Sequence, residues 1–159
     1  ELNAAGITAV GLNGFDGTLL ESTYLDKETY GFVGEVTNVN TALLDALTAT
    51  GIVPVIACIG ATKEGQALNI NGDTVASEIA LAVKAESLLL VTDVAGIRIH
   101  DEYQKEVTEA HINGWIEEGH IYGGMIPKVQ GALNCLHAGI PSVQIVNDTL
   151  TGTTIKNEG

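Results

Sequence analysis

The chain has 159 residues, of which 45% are hydrophobic and 17% charged, a composition typical of folded globular proteins rather than disordered ones. With 20 acidic and 7 basic residues, its formal net charge of −13 would repel a phosphate backbone over most of the surface. We therefore expect no nucleic-acid partner, and an anionic ligand would need a local positive site. The sequence contains no apolar run of membrane-spanning length, so we expect no membrane partner either.

The first half of the chain predicts strands that alternate with turns and one helix. Asn40 is placed to cap that helix, which Gly51 would end. The apolar run over 52–59 is typical of a strand buried on both faces in a parallel sheet. The expected elements are strands over 7–12, 18–24, 32–36 and 52–59 and a helix over 41–50.

Residues 68–77 read Leu-Asn-Ile-Asn-Gly-Asp-Thr-Val-Ala-Ser and predict a strand that leads into a helix over 74–84. Asp73 stands where that helix needs its N-cap. Strand ends and helix N-termini meet at such corners and leave backbone donors for a ligand. Asp73 is therefore either a cap alone or part of a ligand site.

The second half repeats the alternation. A buried strand over 87–92 is expected to end at Asp93, and 100–106 is expected to be an exposed polar segment. Strands that alternate with helices predict an α/β fold, a three-layer αβα sandwich with a mostly parallel open sheet. The remaining elements are helices over 108–118 and 125–137, a strand over 142–146 and a last edge strand over 152–155.

A second informative run is Tyr-Gly-Gly-Met-Ile-Pro-Lys-Val over 122–129. Its glycines let a ligand approach the backbone, and Lys128 follows in the first turn of a helix. A cation there is unfavourable by roughly 0.3–1 kcal/mol unless an anion is bound, which indicates a phosphate site. The alternative is that Lys128 simply extends into solvent. The four histidines lack metal-ligand spacing, so we expect no protein metal site.

Four motifs resemble the amino acid kinase family and, within it, the acetylglutamate kinases. They are Gly-Phe-Val-Gly-Glu-Val over 31–36, Asn-Ile-Asn-Gly-Asp over 69–73, Thr-Asp-Val-Ala-Gly-Ile over 92–97 and Gly-Gly-Met-Ile-Pro-Lys-Val over 123–129. The resemblance implies the amino acid kinase fold and transfer of a phosphoryl group from ATP, with Mg2+, to the side-chain carboxylate of N-acetyl-L-glutamate. It also implies a homodimer. The apolar contexts of Cys58 and Cys135 favour free thiols and a cytoplasmic location.

The same resemblance assigns roles to individual residues. Asn69 would bind acetylglutamate, Asp73 would orient catalytic lysines, and Lys128 would stabilise charge on the transferring phosphoryl group. Residues 1–84 would form the rear half of the acyl-substrate lobe, and 85–159 the nucleotide lobe. The residues expected to line the nucleotide are Asp93, Val94, Ala95, Gly96, Ile97, Arg98, His120, Ile121 and Tyr122.

The chain also departs from the family pattern. The glycine-rich strand end with a second catalytic lysine is missing, so we expect the N-terminal part of the family fold to lie outside it. This leaves three alternatives open: a catalytically silent nucleotide-binding fragment, another amino acid kinase acting on a different carboxylate or carbamate, and a regulatory protein that binds acetylglutamate or arginine.

Overall fold

The computed structural model describes residues 1–156, which form two compact units. The first unit is Glu1–Ala82, and the second begins at Val83. That the units are an acyl-substrate lobe and a nucleotide lobe stays a prediction. Residues 157–159 of the predicted second lobe lie outside the described residues.

The elements of the first unit are β1 (Ala9–Leu12), β2 (Leu20–Tyr24), α1 (Lys27–Tyr30), β3 (Gly34–Val39), α2 (Thr41–Ala49), β4 (Val53–Ile56), β5 (Ile59–Ala61), β6 (Ala67–Asn69) and α3 (Gly72–Ala82). They include a four-stranded mixed sheet in the order β3-β2-β5-β6 and a two-stranded parallel sheet of β1 and β4. The strands predicted over 18–24 and 32–36 are confirmed as β2 and β3, which pair as an antiparallel hairpin with a β-bulge between Glu21 and Ser22. The Asn40 side chain accepts a hydrogen bond from the Leu43 N–H and caps α2, as predicted.

The elements of the second unit are β7 (Leu88–Val91), β8 (Arg98–Ile99), β9 (Glu102–Tyr103), β10 (Glu106–Thr108), α4 (Glu109–Glu117), α5 (Met125–His137), β11 (Ser142–Val146) and β12 (Gly152–Lys156). They include a four-stranded mixed sheet in the order β10-β12-β11-β7 and a separate β8–β9 hairpin. The predicted helix over 125–137 and the strand over 142–146 are confirmed at both ends.

Helix α5 positions the second unit's sheet and packs on β11. Its buried residues Val129, Ala132, Leu133 and Leu136 recur at the spacing of one helical face. They meet a sheet whose inward side chains, including Ile145 and Ile155, are fully buried. Because this face is packed against the sheet, the orientation of α5 is fixed, and with it the direction in which the helix N-terminus points.

The α/β class is confirmed, but the sheets are mixed rather than mostly parallel. Strand β2 runs parallel to β5 and antiparallel to β3, and β11 runs parallel to β7 and antiparallel to β12. The hairpins supply the antiparallel neighbours, because a short turn can join only antiparallel strands.

Three strand predictions are wrong in burial or position. The run over 52–59 splits into β4 and β5, and β4 pairs with β1 alone among the described strands, which leaves Val53 and Val55 exposed. Strand β7 lies at a sheet edge, so its Val91 is 61% exposed. By contrast, the predicted edge strand over 152–155 lies inside its sheet, between β10 and β11. Within residues 1–156, no helix is long and apolar enough to cross a membrane.

Gly152 is required by the close pairing of β11 and β12. A Cβ atom at this position would lie 1.9 Å from the backbone oxygen of Ile145, so the two strands would have to separate. We expect Gly152→Ala to lower the free energy of unfolding by about 1–3 kcal/mol, as overpacking does. Urea unfolding followed by circular dichroism measures this change.

The matched control for this prediction is Gly131→Ala in α5, where an added Cβ would meet no atom within 4 Å. Alanine restricts the unfolded chain and favours a helix, so this variant should be more stable by about 0.5–1 kcal/mol. Equal stability of the two variants would contradict the close approach of β11 and β12.

Candidate functional site

The N-terminus of α5 carries the lysine that the sequence singled out. Gly123 has a positive φ of 57°, and Gly124 is the N-cap residue, with no side-chain hydrogen bond to cap the helix. Helices α1, α2 and α4 are capped by side chains instead. The Met125 and Ile126 N–H groups of the first turn donate to the carbonyl oxygens of Tyr122 and Gly123, both at 3.3 Å, and Pro127 has no N–H. What this helix end offers an anion is therefore the positive end of its dipole and Lys128, rather than free backbone donors.

Lys128 forms an ion pair with Asp93, which follows β7. The lysine side chain is only 29% exposed, whereas that of Asp93 is 85% exposed. Asp93 thus supplies the negative charge that a lysine near the positive end of a helix dipole requires. Sequence reasoning named both residues but did not pair them, although each was placed at the start or end of its element.

The hydrogen bond donated by Lys128 holds the pKa of the Asp93 carboxyl below its ordinary value of 3.8. A backbone hydrogen bond of Asp93 and the charge of Lys128 act in the same direction. Because the folded-state pKa is lowered, the pair is fully formed above the ordinary pKa and is lost as the pH falls through the lowered value.

The segment from Asp93 to Arg98 turns away from β7 and leads into β8. The Thr92 hydroxyl accepts a hydrogen bond from the Val94 N–H at 3.2 Å and tightens the first part of the turn. Ala95 is half-buried, and Gly96 adopts a positive φ of 101°. Ile97 is fully buried, so the segment is anchored in the unit rather than free in solvent.

An open cavity of about 520 Å³ lies beside this segment. Five of the predicted nucleotide residues line it, namely Ile97, Arg98, His120, Ile121 and Tyr122. The other four, Asp93, Val94, Ala95 and Gly96, do not line it. The cavity also includes Ile99, His100, Asp101, Gly119 and Met125.

The prediction that 100–106 is an exposed polar segment is confirmed, with Gln104 half-buried, and the segment also includes two residues that line the cavity. His100 and Asp101 form the turn of the β8–β9 hairpin, and both have positive φ values, 48° and 67°. The His100 ring lies edge-on to that of His120, with 4.4 Å between ring centroids. Histidine and aspartate adopt this conformation more readily than most residues, which was the available sequence signal.

The loop before α5 brings the other wall of the cavity. The backbone N–H groups of His120 and Ile121 both donate to the carbonyl oxygen of Trp115, at 2.8 and 3.0 Å. These bonds reverse the chain directly after α4, bury Ile121 and leave Tyr122 74% exposed. The loop thus offers polar, aromatic and backbone groups on one side of an open cavity.

Asn69 and Asp73 lie in the first unit. Asn69 ends β6, and its backbone N–H donates to the carbonyl oxygen of Phe32 at 2.8 Å, beside the hairpin. The prediction that Asp73 caps α3 is wrong, because the helix begins at Gly72 and Asn71 accepts the hydrogen bond from the Thr74 N–H. Asp73 is exposed in the first turn, where the helix dipole favours a carboxylate.

Metal-ligand clusters of three or more His, Cys, Asp or Glu side chains are not found among residues 1–156. The roles predicted for Asn69, Asp73 and Lys128 stay predictions.

The amino acid kinase family model matches residues 1–147, and the chain belongs to that family. It is 44% identical to an acetylglutamate kinase of Halalkalibacterium halodurans over 99% of this chain and 64% of that protein. It is also 44% identical to the acetylglutamate kinase of Bacillus subtilis, over 92% of this chain and 57% of that protein. The chain thus spans less than two thirds of the length of these relatives.

Solved structures agree on the fold. A protein of Streptococcus mutans, smu.665, superposes with a TM-score of 0.81 at 35% identity and covers 98% of this chain and 63% of its own. An N-acetylglutamate synthase of Neisseria gonorrhoeae superposes with a TM-score of 0.80 at 20% identity, over 99% of this chain and 40% of its own. The latter likeness shows the fold alone.

The ion pair predicts a specific titration. We expect the Asp93 carboxyl to titrate below 3.8, and Lys128→Met to raise its midpoint, because the variant removes both the hydrogen bond and the charge. Carboxyl 13C chemical shifts measured against pH give both midpoints.

Asp26 is the internal control for this titration. Its pKa is also lowered, but by hydrogen bonds from Thr29 and Glu28, so Lys128→Met should leave it unchanged. An Asp93 midpoint that does not move in the variant would contradict the pairing.

Proposed function

We propose that the protein containing this chain transfers the γ-phosphoryl group of ATP to the side-chain carboxylate of N-acetyl-L-glutamate. The observation that carries the proposal is the placement of Lys128 near the N-terminus of α5, whose Met125 lines a cavity shared with five of the predicted nucleotide residues. The 44% identity to acetylglutamate kinases over nearly the whole chain supports this choice of acceptor.

The second unit supplies the groups that would bind ATP. In this proposal the base and ribose occupy the open cavity beside Arg98, His120 and Tyr122, and the phosphates point towards the first turn of α5. The helix dipole favours phosphate there, and Lys128 adds a full positive charge. Such a local site answers the requirement set by the net charge of −13.

Magnesium would enter as part of the substrate, as MgATP. The phosphate oxygens and water molecules provide most ligands of a nucleotide-bound Mg2+, so the protein need not supply a cage of its own.

The reaction needs no general base. An oxygen of the acceptor carboxylate is already anionic, so it attacks the γ-phosphorus directly while the bond to the ADP oxygen breaks. Catalysis then consists of positioning and charge stabilisation. Lys128 would exchange its Asp93 partner for the oxygens of the transferring group.

The first unit would hold the acceptor. Asn69 is exposed at the end of β6, next to the backbone of the β2–β3 hairpin, and an amide side chain can both donate to and accept from an acylamino acid. The family resemblance further supports a homodimer, and the apolar settings of the cysteines support a cytoplasmic location.

The test is an acyl phosphate assay on the full-length gene product. We expect a hydroxylamine-trappable product only with ATP, Mg2+ and N-acetyl-L-glutamate together. Lys128→Met should lower kcat by roughly 10²- to 10³-fold, the usual loss when one group that stabilises transition-state charge is removed. Lys156→Met is the control, because Lys156 is also an ion-paired lysine but does not line the cavity. It pairs at 2.7 Å with Glu106 of the neighbouring strand β10.

The outcomes separate the alternatives. Equal turnover of glutamate, aspartate or carbamate would reassign the protein within the amino acid kinase family. ATP binding without any acyl phosphate would support a catalytically silent nucleotide-binding module. Binding of acetylglutamate or arginine without any need for ATP would support a regulatory protein.

A further inference from the structure

We propose that Thr153 is a positioning residue, which holds the nucleotide segment 93–98 in its binding conformation from behind the cavity wall. This inference rests on the proposed function, because it assigns a role in ATP binding to a residue that none of the four family motifs contains. Thr153 lies in β12, far along the chain from the segment that it would hold.

The Thr153 hydroxyl is fully buried and uses its donor and an acceptor site. It accepts a hydrogen bond from the Ile97 N–H at 2.8 Å and donates one to the Gln104 carbonyl oxygen at 2.6 Å. The Gln104 N–H in turn donates to the Ile97 carbonyl oxygen at 2.9 Å. The three residues therefore form a closed ring of hydrogen bonds.

This ring ties the Ile97 N–H to Thr153 in β12 and the Ile97 carbonyl oxygen to Gln104, which follows β9. Ile97 lines the cavity, and Gln104 follows the β8–β9 hairpin, whose turn carries His100. A buried backbone N–H that lost its acceptor would have to find another or move towards water. Loss of the Thr153 hydroxyl would therefore loosen the cavity wall at Ile97.

Gly96, the residue before Ile97, shows that the nucleotide segment approaches Thr153 closely. A Cβ atom on Gly96 would lie 2.5 Å from the Thr153 hydroxyl oxygen and 2.7 Å from the Thr153 backbone nitrogen. Gly96 also has a positive φ of 101°, which other residues rarely adopt. The segment is thus pressed against β12 with no room for a side chain between them.

A valine at position 153 fills nearly the same volume as threonine but can neither accept from Ile97 nor donate to Gln104. We expect Thr153→Val to raise the KM for ATP roughly tenfold, because it removes both hydrogen bonds and leaves the Ile97 N–H and the Gln104 carbonyl oxygen without this partner. The KM for N-acetyl-L-glutamate and kcat should stay within about twofold, because the acceptor site and Lys128 are not part of the ring.

Two further variants isolate the hydroxyl. Thr153→Ser keeps it and should bind ATP as the unaltered protein does. Thr154→Val removes a threonine hydroxyl from the next position of β12, where the side chain faces the other side of the sheet. It should leave the KM for ATP unchanged.

The kinetic assay on the full-length gene product distinguishes the possible failures. If the unaltered protein turns over and Thr153→Val keeps its KM for ATP while kcat falls with the folded fraction, Thr153 is merely structural and the inference is overturned. If the unaltered protein neither binds nor uses ATP, the proposed function fails, and this role fails with it.

A second measurement needs no variant and applies even if Thr153→Val does not fold. Hydrogen exchange of the unaltered protein should show the Ile97 amide strongly protected, and ATP should slow its exchange further. An Ile97 amide that exchanges as fast as those of exposed loops would overturn the ring and the inference with it.

Discussion

The ion pair between Lys128 and Asp93 is the contact around which the second unit's candidate site is arranged. It joins the end of β7 to the first turns of α5, two segments separated by 35 positions. In a protein with a net charge of −13, a cation near a helix N-terminus is a local feature that can attract phosphate. Asp93 keeps that charge compensated and its side chain directed until a ligand competes for it.

The segment that begins at Asp93 is held from two sides. Its first residue is tied to α5 through Lys128, and its later part is tied to β12 through the Thr153 hydroxyl. Between these points no side chain fits at Gly96, because its backbone lies against Thr153. This double attachment restrains a loop segment at both of its ends, although the Asp93 side chain itself is largely exposed.

Local patterns predicted the parts of the fold that depend on local chemistry. The cap at Asn40, the start of α5 after two glycines and the strand-to-helix corner near Asn69 all follow from residue types and their spacing. One local prediction is wrong, because α3 begins at Gly72 and Asn71, not Asp73, accepts from the Thr74 N–H. The other errors concern tertiary neighbours. Alternation cannot tell that β12 lies inside its sheet or that β7 lies at an edge, because strand order depends on residues distant in sequence. Likewise, the Asp93–Lys128 pair and the Thr153 ring join residues that no single motif contains.

The central claim is that two segments of the second unit, 93–98 and 119–122, hold the nucleotide beside the N-terminus of α5. Amide chemical-shift mapping with a non-hydrolysable ATP analogue and Mg2+ tests it most directly. We expect the largest shift changes in these two segments and in the first turn of α5. Saturable binding with its largest changes outside all three would contradict the claim.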